Sequence, residues 1–298
     1  MRETTALTPT LAVRATQRRG SIAQAAILSG PALFLAAFCI TPLLLLIMLS
    51  VAHHEEGSLW SPGFELTQFR ALAEPTFLRV IGFSLFLAAS AAALTLCVAF
   101  PAAYFISHMR RRAQVAWLVF ILGSLSLSEV LIVFAFQVLL SSSGALVKGL
   151  VDLGLMASPH SLYPNFAAVL CCLVYLVLPY VILFLYPAVS QLDQEMPQAA
   201  ATMGASPLRS FFLVTAPLMR GPLVSAAMLV VIFSISAYLT PLVLGRPETW
   251  TVGVHLSNTV LEAGDVPLAA AQAVLLVAAI VCLLGLVRWV GRDRSARA

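Results

Sequence analysis

Long uninterrupted runs of apolar residues are the feature that most constrains how this chain can fold. A helix needs about 20 consecutive apolar residues to cross a bilayer. Only 10% of the 298 residues are charged, whereas soluble domains carry about 25%. The sequence therefore predicts an all-α integral membrane protein with about six transmembrane helices in one domain over residues 27–290. The predicted spans are 27–51, 78–106, 115–140, 166–189, 223–244 and 266–289.

The first apolar run follows Arg14, Arg18 and Arg19, an arrangement also seen in secretory signal peptides. The apolar core of a signal peptide is only about 7–15 residues long, and the run here is longer. We interpret this run as an uncleaved anchor that begins after a polar tail over residues 1–26.

The distribution of basic residues predicts the orientation, because cytoplasmic loops of membrane proteins are enriched in Arg and Lys. With the N-terminus in the cytoplasm, four of the 17 basic residues lie on the outer side, namely Arg70, Arg79, Lys148 and Arg246. The other thirteen lie on the inner side. Both termini, including the tail 291–298, are therefore predicted to be cytoplasmic. Topology accounts for the net charge of +4, so we expect no nucleic-acid partner.

The cysteines and the single lysine argue against metal or nucleotide chemistry. The five cysteines lie in apolar runs without metal-ligand spacing. A phosphate-binding P-loop requires the pattern GxxxxGK[ST], but Lys148 stands between Val147 and Gly149. We expect no metal, no cofactor and no ATPase activity in this chain.

The polar segment between the fourth and fifth spans, about residues 190–222, is too polar to cross a membrane and too patterned to be a passive linker. Gly204 is typical of a helix end, and Ser206 followed by Pro207 is typical of a helix start. We expect a second helix from Ser206-Pro207 until Pro217 stops it. Such a helical hairpin on the inner face suits insertion into a groove of a partner protein.

This segment resembles the Glu-Ala-Ala loop of binding-protein-dependent ABC importer permeases. The resemblance rests on Gln198-Ala199-Ala200, with Gln198 where the family has glutamate, and on the matching positions Gly204, Phe211 and Pro217. The predicted coupling loop also includes Ala205. Further stretches resemble permeases of the spermidine/putrescine type, namely Phe100-Pro101-Ala102-Ala103-Tyr104, Ala237-Tyr238-Leu239-Thr240-Pro241 and the stretch 264–271.

The resemblance implies a bacterial inner-membrane permease subunit that forms a solute pathway and couples to a separate ATPase. It also implies the partners: a dimeric ATPase subunit docked on the Glu-Ala-Ala loop, a second permease, and an external solute-binding protein that delivers a polyamine or another small solute. A stand-alone secondary transporter remains the alternative; it would show an internal repeat with interrupted helices in matching positions.

Glu129 is the one carboxylate well inside a predicted span. Ionisable residues within membrane spans are costly and usually face a bundle interior or water. Gln137 follows eight residues later, near the same helical face. We interpret Glu129 and Gln137 as candidate pathway residues, with packing against a partner helix as the alternative.

Overall fold

The structure is a computed structural model that describes residues 30, 33–55, 58–192, 196 and 202–295. Most of the described residues are helical, and one two-stranded hairpin lies between the first two helices. The helices are α1 Leu33–Ser50, α2 Thr67–Ala71, α3 Pro75–His108, α4 Arg111–Leu125, α5 Glu129–Leu140, α6 Ala145–Asp152, α7 Phe166–Ser190, α8 Pro207–Leu218, α9 Arg220–Ser236, α10 Leu239–Leu244, α11 Val252–Leu261 and α12 Val266–Ser295. The strands are β1 His53–Glu55 and β2 Ser58–Ser61, paired antiparallel.

The described part of the chain contains five helical stretches long and apolar enough to cross a membrane, and a sixth if α8 and α9 are counted as one bent span. The five are α1, α3, the stretch Glu129–Asp152 that comprises α5 and α6, α7, and α12 as far as Gly285. The prediction of a helical membrane protein with about six spans is confirmed at this level. The small hairpin is the one departure from an all-helical chain in these residues.

Two predicted spans are interrupted in the structure. The span predicted over 115–140 comprises α4 and α5, which are separated at Ser126–Ser128. There, the N–H groups of Ser126 and Leu127 turn back to the carbonyls of Gly123 and Ser124. The span predicted over 223–244 comprises α9 and α10, because Ala237 leaves the helical conformation with a ψ of 128°. Hydropathy is continuous across both breaks and therefore could not reveal them.

The core forms where α3, α7 and α9 pack together. Alanines on α3, including Ala91, Ala99 and Ala103, are completely buried. Small residues let membrane helices approach each other closely, and dispersion contacts then stabilise the bundle. Leu173 and Leu185 on α7 are equally buried and fill this interface.

The hairpin is closed by Glu65, which follows it in sequence. Its carboxylate accepts a hydrogen bond from the Thr67 hydroxyl at 2.6 Å and pairs with His53 Nδ1 at 2.6 Å. Its N–H donates to the Val51 carbonyl at 2.8 Å. These contacts fix the connection between α1 and α2.

The segment 245–265, between the last two predicted spans, contains a helix, α11, which docks on the bundle through buried hydrogen bonds. Ser84 of α3 accepts the Val252 N–H at 3.0 Å, and the Thr251 hydroxyl donates to the Ala237 carbonyl at 2.8 Å. The second bond satisfies a carbonyl that the break after α9 leaves without a helical partner. Residues in this region are therefore held by α3 and by the α9–α10 break.

Candidate functional site

Helix α8 begins where its local signals place it. Gly204 has a φ of +86°, a conformation that favours glycine because side chains are strained there. Ser206 then caps the helix, since its side chain accepts the Arg209 N–H at 3.3 Å, and Pro207 takes the first turn. The predicted helix start at Ser206-Pro207 is confirmed.

The predicted helix end at Pro217 is wrong. The helix passes through a π-helical turn at Phe211–Thr215, continues past Pro217 and ends at Leu218. A π turn is wider than an α turn and closes i→i+5 bonds, so the proline ring is accommodated after it. The chain then bends by 77° into α9.

Aromatic stacking anchors α8 to the end of α3. The Phe211 ring stacks on Phe100 with a centroid distance of 4.7 Å and meets Tyr104 edge-on at 5.1 Å. Offset and edge-to-face pairs of this kind are favourable beyond the area they bury. Thr215 and Met219, completely or almost completely buried, extend the same anchored face.

The opposite surface of α8 and the turn before it carry large exposed apolar side chains. Met203 is 83% exposed, Leu208 73%, and Phe212 and Leu213 65% each. Leu208 and Phe212 therefore lie outward, away from the inward Phe211. We define the knob as Met203, Leu208, Phe212 and Leu213.

The other predicted residues of this segment are unevenly placed. Ala205 is half-buried beside Gly204, and Pro217 is exposed near the bend. Gln198, Ala199 and Ala200 lie outside the described residues. The knob itself extends beyond the predicted motif, and its signal in the sequence is the unusual density of apolar residues in a polar loop.

Glu129 lies at a helix start rather than within a continuous helix. It is the first residue of α5, and its side chain borders a cavity of about 90 Å³ between the α4–α5 break, α7 and α9. Ser124, Tyr175 and Tyr180 also line this cavity. Gln137, half-buried two turns further along α5, is not among the described residues that line it.

Tyr175 and Tyr180 of α7 are cavity residues that sequence reasoning missed. Both are polar aromatics within an apolar span, and the proline between them, Pro179, also lines the cavity. Tyrosine in a span is common, so only their position opposite Glu129 distinguishes them.

Comparison with known proteins provides independent evidence on this fold. The spermidine/putrescine transport system permease protein PotB of Escherichia coli (strain K12) is 25% identical over 256 residues, covering 86% of this chain and 93% of that protein. PotB of Haemophilus influenzae is 24% identical over 241 residues, covering 81% and 84%.

Solved structures share the fold. A bacterial ABC transporter involved in the import of the acidic polysaccharide alginate matches with a TM-score of 0.67 at 14% identity, over 93% of this chain and 99% of that chain. The bacterial alginate ABC transporter in complex with alginate pentasaccharide-bound periplasmic protein matches with a TM-score of 0.67 at 15% identity, covering 93% and 96%.

A family profile described as binding-protein-dependent transport system inner membrane component matches residues 26–295. The match covers all the helices described above and both candidate regions, α8 and the Glu129 cavity. The chain therefore belongs to the family of binding-protein-dependent transport system inner membrane components.

Proposed function

We propose that this chain lines the solute pathway of an ABC importer and couples to a separate ATPase subunit through α8 and the turn before it. The observation that carries the coupling role is the two-sided character of α8. One side is anchored on α3 by Phe211, and the other side exposes the knob.

The knob has the form that helix-in-groove recognition requires. Contiguous exposed apolar side chains usually mark an interaction site, and a helix can present them to an apolar groove. Anchoring through Phe211 makes the knob move with α3 and α9, the helices of the core. A displacement of the knob by a docked ATPase would therefore be transmitted directly to the membrane-spanning helices.

The basic residues support a cytoplasmic position for α8. Arg209 lies on α8 and Arg220 begins α9. Arg110–Arg112 follow the end of α3 on which Phe211 stacks, and the last two begin α4. Cytoplasmic loops are enriched in such residues. In this orientation both termini are cytoplasmic, and a solute-binding protein would approach the hairpin side of the bundle.

A second permease subunit completes the proposed pathway. Only 6% of α1 is buried, and Glu129 is exposed at the start of the span-length stretch Glu129–Asp152. An ionisable group at membrane depth faces a bundle interior or water rather than lipid. A second permease would provide that interior.

The transported solute is proposed to be a polyamine or a similar small solute, by likeness to PotB.

The test is an affinity purification of the tagged chain from mild detergent with Gly204→Asp as the variant. No atom lies within 4 Å of a Cβ built at Gly204, so the substitution acts on the exposed bend and on its positive φ. We expect the wild-type chain to recover an ATPase subunit and a second permease, and Gly204→Asp to lose the ATPase and ATP-dependent uptake.

Gly154→Asp is the matched control, because Gly154 also has a positive φ and open surroundings but lies after α6, away from α8. This control should keep both partners. Recovery of the ATPase by Gly204→Asp at the wild-type level would refute coupling through α8. Uptake by the chain alone, insensitive to ATP depletion, would indicate a secondary transporter instead.

A further inference from the structure

The cavity beside Glu129 lies between the α4–α5 break and two continuous helices, α7 and α9. The α4–α5 break contributes Ser124 and Glu129, the middle of α7 contributes Tyr175 and Tyr180 on either side of Pro179, and α9 contributes Phe233. Interrupted membrane helices provide polar backbone groups at depths where continuous helices provide none, and such breaks often form solute or ion sites.

Several groups at this cavity can accept hydrogen bonds. Pro179 has no N–H, so the Tyr175 carbonyl four residues earlier lacks its usual helical donor. The Ser124 hydroxyl donates its proton to the Ile121 carbonyl at 2.7 Å, which leaves its oxygen lone pairs to accept. The Glu129 carboxylate adds two acceptor oxygens.

The charge at this cavity is negative. Among the described residues that line it, Glu129 is the only charged side chain, and none is basic. No ion pair of Glu129 occurs within the described part of the chain. A carboxylate that is taken out of water needs a compensating cation or a proton.

We propose that this cavity binds the ammonium head of an alkylamine, with Glu129 as counter-charge and the rings of Tyr175 and Tyr180 as cation–π faces. The inference rests on the proposed function, because it places a cation-binding site within the proposed solute pathway. Carboxylate and aromatic groups together are a favourable environment for an organic cation, because each attracts positive charge while the rings also contact methylenes.

The volume and the lining of the cavity suit an alkylammonium group better than a whole polyamine or a divalent metal ion. About 90 Å³ exceeds the about 10–15 Å³ that one water needs, so an ammonium group and its neighbouring methylenes fit while most of a long polyamine would extend beyond. Mg²⁺ and Ca²⁺ prefer shells of about six to eight oxygen ligands. One carboxylate among aromatic and aliphatic side chains suits an alkylammonium ion better.

The test uses the assembled importer in lipid nanodiscs without its solute-binding protein, with radiolabelled putrescine as the probe. We expect saturable binding that unlabelled putrescine displaces and 1,4-butanediol does not. Glu129→Gln should weaken binding by at least about tenfold, because it replaces a charge-assisted hydrogen bond with a neutral one. Tyr180→Leu should weaken it by about threefold or more, while Tyr180→Phe keeps the ring and binds nearly as wild type.

Glu262→Gln is the matched control, since Glu262 lies at the end of α11 and does not line the cavity. Intact assembly and ATPase activity of each variant show that it is folded. Equal affinity of Glu129→Gln and wild type, absence of putrescine binding to wild type, or displacement by NaCl but not by choline chloride at equal ionic strength would each overturn the inference. These results would leave ATPase recovery in the purification experiment unchanged, so the two proposals fail separately.

Discussion

Adjacent phenylalanines in α8 serve opposite surfaces. Phe211 stacks on Phe100 within the protein, whereas Phe212 is 65% exposed on the knob. Consecutive residues of a helix point about 100° apart, so a single pair of identical side chains can both anchor the helix and present it to a partner. The sequence shows two equivalent phenylalanines, and only contact with α3 distinguishes them.

At the same scale, Glu65 makes the hairpin sensitive to acid. The Thr67 hydroxyl and then the His53 ring stabilise its carboxylate and hold the pKa of Glu65 below its ordinary value of 4.5. A lowered folded pKa contributes stability that is present above the unfolded pKa and is lost as pH falls through the folded one. We expect the hairpin to loosen as the pH falls through the lowered pKa of Glu65, with a small local effect because the carboxylate is exposed.

The measurement is the emission of Trp60, which lies on β2, in a variant whose other tryptophans are phenylalanine. The emission should shift as acid releases the hairpin. Glu65→Gln should remove that transition, and Glu248→Gln, which changes a carboxylate on the short turn before α11, should keep it. The same transition in Glu65→Gln would show that another group controls the hairpin.

At the scale of elements, the close approach of α11 to the α9–α10 break explains why a glycine lies at the second residue of α11. A Cβ at Gly253 would lie 2.9 Å from the Ala237 carbonyl oxygen and 3.0 Å from that of Ser236. Both are backbone atoms, which cannot move aside as a flexible side chain would. The glycine therefore sets how closely α11 docks.

We expect Gly253→Ala to lower the free energy of unfolding by about 1–3 kcal/mol, the usual cost of overpacking. Gly82→Ala is the matched control in α3, where a Cβ would meet nothing within 4 Å. It should leave stability unchanged or raise it by up to about 1 kcal/mol through helix propensity. Thermal unfolding in detergent, followed by tryptophan fluorescence, compares the two.

A Gly253→Ala protein as stable as wild type would mean that α11 can shift outward without loss. In that case the hydrogen bond from Val252 N–H to Ser84, which holds the same end of α11, would have to tolerate the shift. Ser84→Ala combined with Gly253→Ala would then separate the two contacts.

At the scale of the whole molecule, the charge distribution predicts which side of the membrane each end occupies. Arg288, Arg292, Arg294 and Arg297 follow the last apolar run, whereas Lys148 and Arg246 are isolated on the opposite side. The excess of basic residues near the cytoplasmic ends of spans sets the orientation of membrane proteins.

Fusions of alkaline phosphatase test this topology, because its disulfides form in the periplasm and not in the cytoplasm. A fusion after Ala298 should be inactive, and one inserted after Gly154, beyond α6, should be active. The reverse pattern would place α8 outside the cell and contradict coupling through the knob.

The sequence by itself determined the features that depend on neighbouring residues. Apolar runs predicted a helical membrane protein with about six spans, because whether a segment can cross the membrane depends on the residues of that segment. Ser206 and Pro207 predicted the start of α8, because capping involves atoms within one turn. The pattern around Gly204 also indicated the family, since its residues lie close together in the chain.

The tertiary structure decided what residues distant in the chain do together. Hydropathy could not show the break at Ser126–Ser128, because the broken and continuous forms are equally apolar. Nor could it bring Glu129 of α5 together with two tyrosines of α7 and Phe233 of α9. Helix α8 continues past Pro217, the predicted end, to Leu218 because a π turn precedes the proline. These features arise from packing, which local residue preferences describe only in part.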